Sequence, residues 1–107
     1  MFAIEQKGKD VILHFNLKNQ SESVKKYTFP TSQRFDYIIT SSNGQVVTQF
    51  SKGRMFNQVI GTVTLKPGEA LAYDPVVKAL PKGSYLVTFW LTAREEQYKT
   101  TASFTVE

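Results

Sequence analysis

The sequence has no cysteine and a single histidine. Without thiols no disulfide can brace the fold and no thiolate can act as a nucleophile, so stability has to come from packing alone. That suits a reducing compartment, and the chain is expected in the cytoplasm. A zinc site would need carboxylates for nearly all its ligands, which is unusual for that ion, so neither metal nor cofactor is expected. Gly44, Gly53 and Gly61 stand singly, in or beside strand-like runs, and form no phosphate-cradling loop. No Gly-x-Ser-x-Gly elbow is present, and no acidic D-x-D run suggests calcium. Long apolar runs are missing too. Met1-Phe2-Ala3-Ile4-Glu5 reaches a charge after four residues, and nothing approaches the ~18 residues of a membrane span. Neither a signal peptide nor a membrane segment is therefore expected. Finally, no stretch of ten residues carries the apolar stripe of an amphipathic helix.

What remains is a chain of 107 residues, 41% hydrophobic and 13% aromatic, enough for one packed core. A single domain over 1–107 is expected, burying about two-thirds of its unfolded surface. The formal net charge is +4, with bases such as Lys18, Arg34, Lys66, Lys78 and Arg94 scattered singly. A nucleic-acid binder gathers its charge on one stripe, so a solvated basic surface is expected here, with no nucleic-acid partner.

The apolar period is two almost everywhere. Val11, Leu13, Phe15 and Leu17 alternate with Ile12, His14, Asn16 and Lys18; Tyr85, Val87, Phe89 and Leu91 oppose Leu86, Thr88, Trp90 and Thr92. Such alternation belongs to strands with one buried and one wet face. Strands are expected over 2–7, 11–18, 24–29, 35–41, 46–51, 59–65, 69–73, 84–93 and 99–106. The core list is Leu13, Phe15, Tyr37, Val63, Tyr85, Val87, Phe89 and Phe104. Asn43-Gly44 reads as a hairpin turn and Lys66-Pro67-Gly68-Glu69 as a type II turn. Val76 to Leu80 is expected to hold a short helical turn. Tyr85, opening the longest strand, is placed to pin a Greek-key corner through its hydroxyl, or simply to sit in the core. The expected architecture is an all-β antiparallel sandwich of about seven to nine short strands.

Candidate chemistry is sparse. His14 shares its strand parity with Asn16 and Lys18 and should face water, so no catalytic residue is expected and the chain is not read as an enzyme. Glu95-Glu96 is the only adjacent carboxylate pair and should be a solvated hairpin tip. Asn19-Gln20-Ser21 is formally a glycosylation acceptor, meaningful only in a secreted eukaryotic protein. A binding surface is the better prospect. Ser51-Lys52-Gly53-Arg54-Met55-Phe56-Asn57-Gln58 joins two strands and carries two bases, two large apolar residues and a glycine. Loops of this kind carry interactions. The candidate contact residues are Lys52, Arg54, Met55, Phe56 and Asn57, with Phe56 expected to turn inward as core.

This loop also carries a family resemblance. Asp36-Tyr37, Asn43-Gly44, the run Phe50 to Gln58, Leu65-Lys66-Pro67-Gly68-Glu69 and Gly83-Ser84-Tyr85 together resemble the BsuPI family. That family is named for the intracellular proteinase inhibitor of Bacillus. The resemblance spans about Phe15 to Leu91. Phe50 stands where the family more often has tryptophan. The resemblance implies an immunoglobulin-like sandwich that inhibits a cytoplasmic subtilisin-like serine protease by protein–protein binding; separately, a monomer is expected. The resemblance assigns no reactive loop. Two other functions compete: an immunoglobulin-like interaction module with a non-protease partner, and a carbohydrate-binding sandwich using Trp90 and Tyr98. Trp90 itself is expected to be covered, because both faces of its strand are apolar.

Overall fold

The computed structural model describes residues 1–107. Ten strands follow one another without a helix: β1 (Phe2–Lys7), β2 (Asp10–Lys18), β3 (Lys25–Phe29), β4 (Phe35–Ser41), β5 (Val46–Gln49), β6 (Gly61–Leu65), β7 (Ala70–Tyr73), β8 (Val76–Val77), β9 (Gly83–Leu91) and β10 (Thr100–Val106). All pairings are antiparallel. One sheet runs β1-β2-β7, with β8 also on β2; a second runs β10-β9-β4-β5; β3 and β6 form a separate ribbon.

The two larger sheets face each other across the core. Val11, Leu13 and Phe15 of β2 point inward, as do Tyr37 and Ile39 of β4 and Tyr85, Val87, Phe89 and Leu91 of β9. The Phe89 ring meets Phe15 of the opposite sheet at 4.9 Å and Phe2 at 5.4 Å between centroids. Offset ring pairs of this kind add to plain area burial. Tyr27 and Phe29 of β3 and Leu65 of β6 extend the same cluster.

Two residues expected in the core, Val63 and Phe104, are only half-buried and pack against its rim. Both lie on strands with a single neighbour, β6 beside β3 and β10 beside β9, so one flank stays open. Phe104 lies against Tyr85 at 5.5 Å.

The expected helical turn at Val76–Leu80 is absent. Val77 and Val76 pair with Val11 and Ile12, so β8 resumes on β2 where Pro75 interrupts β7. Two β-branched residues favour the extended form. The Pro75 carbonyl still accepts the Leu13 N–H at 2.9 Å. Ala79 then turns at φ 57°. Its N–H donates to Asp10 Oδ1 at 3.1 Å.

The corners behave as their turn chemistry requires. The Tyr85 hydroxyl donates to the Pro81 carbonyl at 2.6 Å, pinning the crossover into β9. Gly68 has φ 86°, the third position of a type II turn, and the Glu69 N–H closes the turn on the Lys66 carbonyl. Asn19 zips the β2–β3 loop to that turn: its carbonyl accepts from the Gly68 N–H and its own N–H donates to the Glu69 carbonyl. The Asn19 side-chain amide is buried and donates to the Ser23 and Leu65 carbonyls. In the folded chain that amide is not accessible for glycosylation.

Candidate functional site

The segment from Phe50 to Ile60 leaves the edge strand β5 and returns as β6. Its start is tied down by one carboxylate. Asp36 Oδ1 accepts the Ser51 N–H at 3.1 Å and the Tyr37 N–H at 2.9 Å, while Oδ2 accepts from Gln49 Nε2 at 3.2 Å. Asp36 is only 6% exposed. A buried carboxylate is tolerated when donors surround it, and these donors fix where the loop departs. Phe50 seats the same end in an aromatic cluster, 4.6 Å from Phe35 and 5.4 Å from Tyr37.

Two tight turns follow, Lys52 N–H to the Gln49 carbonyl and Arg54 N–H to the Ser51 carbonyl, with Gly53 at φ 79°. A left-handed residue there is least strained as glycine. The chain then opens out. Between Met55 and Ile60 the backbone bonds to the rest of the fold only at Asn57, whose carbonyl accepts from the Ser32 N–H and whose N–H donates to Ser32 Oγ, both at 2.9 Å.

The five candidate residues thus divide by role. Met55 is 98% exposed at the crest, and Lys52 is also exposed. The Arg54 guanidinium lies 4.2 Å over the Phe50 ring. Phe56 is a correction to the expected core residue: it is half-buried and meets Phe50 at 6.1 Å, bracing the loop without entering the sandwich. It lies on the loop, outside either sheet, and one flank stays wet. Asn57 works through its backbone. Val59 and Ile60, further along the same segment, are exposed as well. The anchors Asp36 and Ser32 escape a reading of the loop by itself.

Comparison with known proteins settles the family. Residues 2–96 match the family model of BsuPI, described as intracellular proteinase inhibitor. The chain belongs to the BsuPI family. The match takes in both anchors and the whole loop. No curated protein matches the chain. Among solved structures it resembles β-glucosidase 3B from Thermotoga neapolitana, with TM-score 0.54 and 13% identity, covering 99% of this chain and 15% of that one. A β-glucosidase from Kluyveromyces marxianus gives TM-score 0.53 and 15% identity, covering 98% and 13%. This chain spans only a small part of those enzymes, and at such identity the likeness is one of fold.

Three other groups complete the picture of this BsuPI chain. His14 does reach solvent but is not free: Nδ1 lies 2.6 Å from Asp74 Oδ1 and Nε2 2.8 Å from Glu5 Oε1. Lys7 is the other charge at hand, 4.0 Å from Glu5. The Asp74 hydrogen bond first, then that of Glu5, holds the imidazolium and raises its pKa above the ordinary 6.5. A raised pKa contributes stability that is complete below the unfolded value and is lost as pH rises through the folded one. His14→Gln should therefore lower the thermal midpoint more near pH 6 than near pH 9, checked by melting the two proteins across that range. An equal loss at both pH values would contradict the assignment.

The Arg94–Gln97 tip is exposed, as expected, but it is tethered. Glu95 accepts the Thr28 N–H at 2.6 Å and the Thr28 hydroxyl at 2.7 Å, which lowers its pKa. This docks the tip on β3. Trp90 is also half-exposed where cover was expected, with Lys99 Nζ 5.2 Å from its ring. Tyr98 turns to Tyr27, hydroxyl to hydroxyl at 3.2 Å, and burial together with that bond pushes the Tyr27 phenol up to about 12.

Proposed function

We propose that this BsuPI domain inhibits a subtilisin-like serine protease of the cytoplasm, presenting the Lys52–Asn57 loop to the active site with the open stretch from Met55 to Asn57 as its substrate-like part. The observation that carries the reading is Met55: a large apolar side chain, 98% exposed, on an open stretch held at both ends by Asp36 and Ser32. Proteases pair with extended backbone, and a segment already held in that form loses less entropy on binding. Met55 would enter the main specificity pocket, with Lys52 and Arg54 at its rim. The inhibitor acts as a monomer of one domain, 1–107, needs no cofactor or metal, and engages neither nucleic acid nor membrane. The orders β1-β2-β7 and β10-β9-β4-β5, with the Tyr85 corner, support an immunoglobulin-like scaffold for it.

The test is residual activity of an intracellular subtilisin titrated with the purified domain. Met55→Asp places an unpartnered charge in an apolar pocket, so inhibition should weaken more than tenfold, about 1.4 kcal/mol or more, with the thermal midpoint unchanged. A folded variant that inhibits as well as the parent would remove this loop from the active site.

A further inference from the structure

Beside the loop lies an open groove of about 510 Å³, between β5 and the strap Val76–Pro81. Three independent features mark it. The first is the strand that borders it. β5 has β4 as its only neighbour and carries neither charge nor proline; its protections as an exposed edge are its four-residue length and a β-bulge against β4. Val46 and Val47 are 62% and 42% exposed. Thr48 is paired with Ile39 and Val46 with Thr40, so Val47 is the extra residue of a β-bulge and has no partner of its own on β4.

The second feature is Tyr37. It is only 5% exposed and lines the groove, yet its hydroxyl has no hydrogen-bond partner in the protein and is not sealed from solvent. A nearly buried phenol left unpartnered offers a donor and an acceptor to whatever enters. The third is charge. Arg54 and Lys78 are the charged residues on the walls, and no carboxylate faces them.

We propose that this groove docks an extended, acidic segment of a partner polypeptide, added as a strand along β5. Unpaired backbone supplies the ladder, the valines and Leu80 supply apolar contact, and the two cations select for acid. A second copy of this chain fits poorly, because pairing two such grooves brings four like charges together. The site does not depend on insertion of Met55 into a protease.

The probe is a fluorescent octapeptide of alternating glutamate and valine, with a lysine–valine octapeptide as control. Anisotropy should show the acidic peptide binding at least about tenfold tighter, and weakening with added salt. Amide shifts should concentrate at Val46–Thr48 and Val76–Lys78. Tyr37→Phe should keep the thermal midpoint, since the hydroxyl has no internal partner, and weaken binding about threefold or more. Lys78→Glu should erase the charge preference. Met55→Ala, which adds no charge beside Arg54, should bind the peptide like the parent, which separates this site from the inhibitory loop. No binding of the acidic peptide, equal binding of both peptides, shifts centred elsewhere, or a dimer that excludes the peptide would each overturn the proposal.

Discussion

Replacing Phe89 with alanine lowers the unfolding free energy by about 3–5 kcal/mol, a large share of the ~5–15 kcal/mol that holds a small domain folded. Phe89 is fully buried and its ring meets Phe2, Phe15 and Phe35, so a truncation opens a void bordered by both sheets. Rigid strands on either side cannot collapse into that space, which puts the penalty toward the upper end. Denaturant titration of parent and variant measures it. A variant as stable as the parent would mean that the sandwich does not close on this ring.

Asp36→Ala is expected to remove about 1–3 kcal/mol, because the Ser51 and Tyr37 N–H groups and Gln49 Nε2 lose their shared acceptor in a site nearly closed to water. The larger consequence falls on the loop, whose upstream anchor is gone. Hydrogen exchange at the Ser51 amide should accelerate, and protease inhibition should weaken even at temperatures where the variant is fully folded. D36N should restore most of both, since an asparagine oxygen still accepts from the two backbone groups and Gln49 can turn its own oxygen toward the new amide. If Asp36→Ala inhibits like the parent while folded, bracing of this end contributes nothing to inhibition.

The strands were legible because burial on one face writes itself into alternate residues, as in Val11 to Leu17 and Tyr85 to Leu91. Turns were legible where glycine must take a positive φ, as at Gly68, or where a tyrosine opens a strand after a crossover, as at Tyr85. What stayed hidden depends on partners far apart in the chain. Asp36 reads as a wet-face residue of β4, yet the β5–β6 loop closes over it from 15 positions away. Glu95 lies on a solvated tip, as its sequence suggests, but its tether to the N–H and hydroxyl of Thr28, 67 positions distant, is invisible there. His14 meets Asp74 across 60 positions. The strand at Val76–Val77 was obscured differently: Pro75 signals a break, and only the neighbouring β2 shows that pairing resumes beyond it. The loop itself was visible as a composition, but which of its side chains faces outward depended on Phe50 claiming Phe56 and leaving Met55 at the crest.

The two anchors also bear on what a protease can achieve if it cuts the loop. A break between Met55 and Phe56 would free two chain ends, but Ser51 remains tied to Asp36 upstream and Asn57 to Ser32 downstream. The severed ends would stay within a few residues of one another at high effective concentration. The new amine would keep facing the acyl group it had just left, so resealing competes with release. If the proposed insertion holds, the two anchors would thus slow the loss of the loop to the enzyme that cut it.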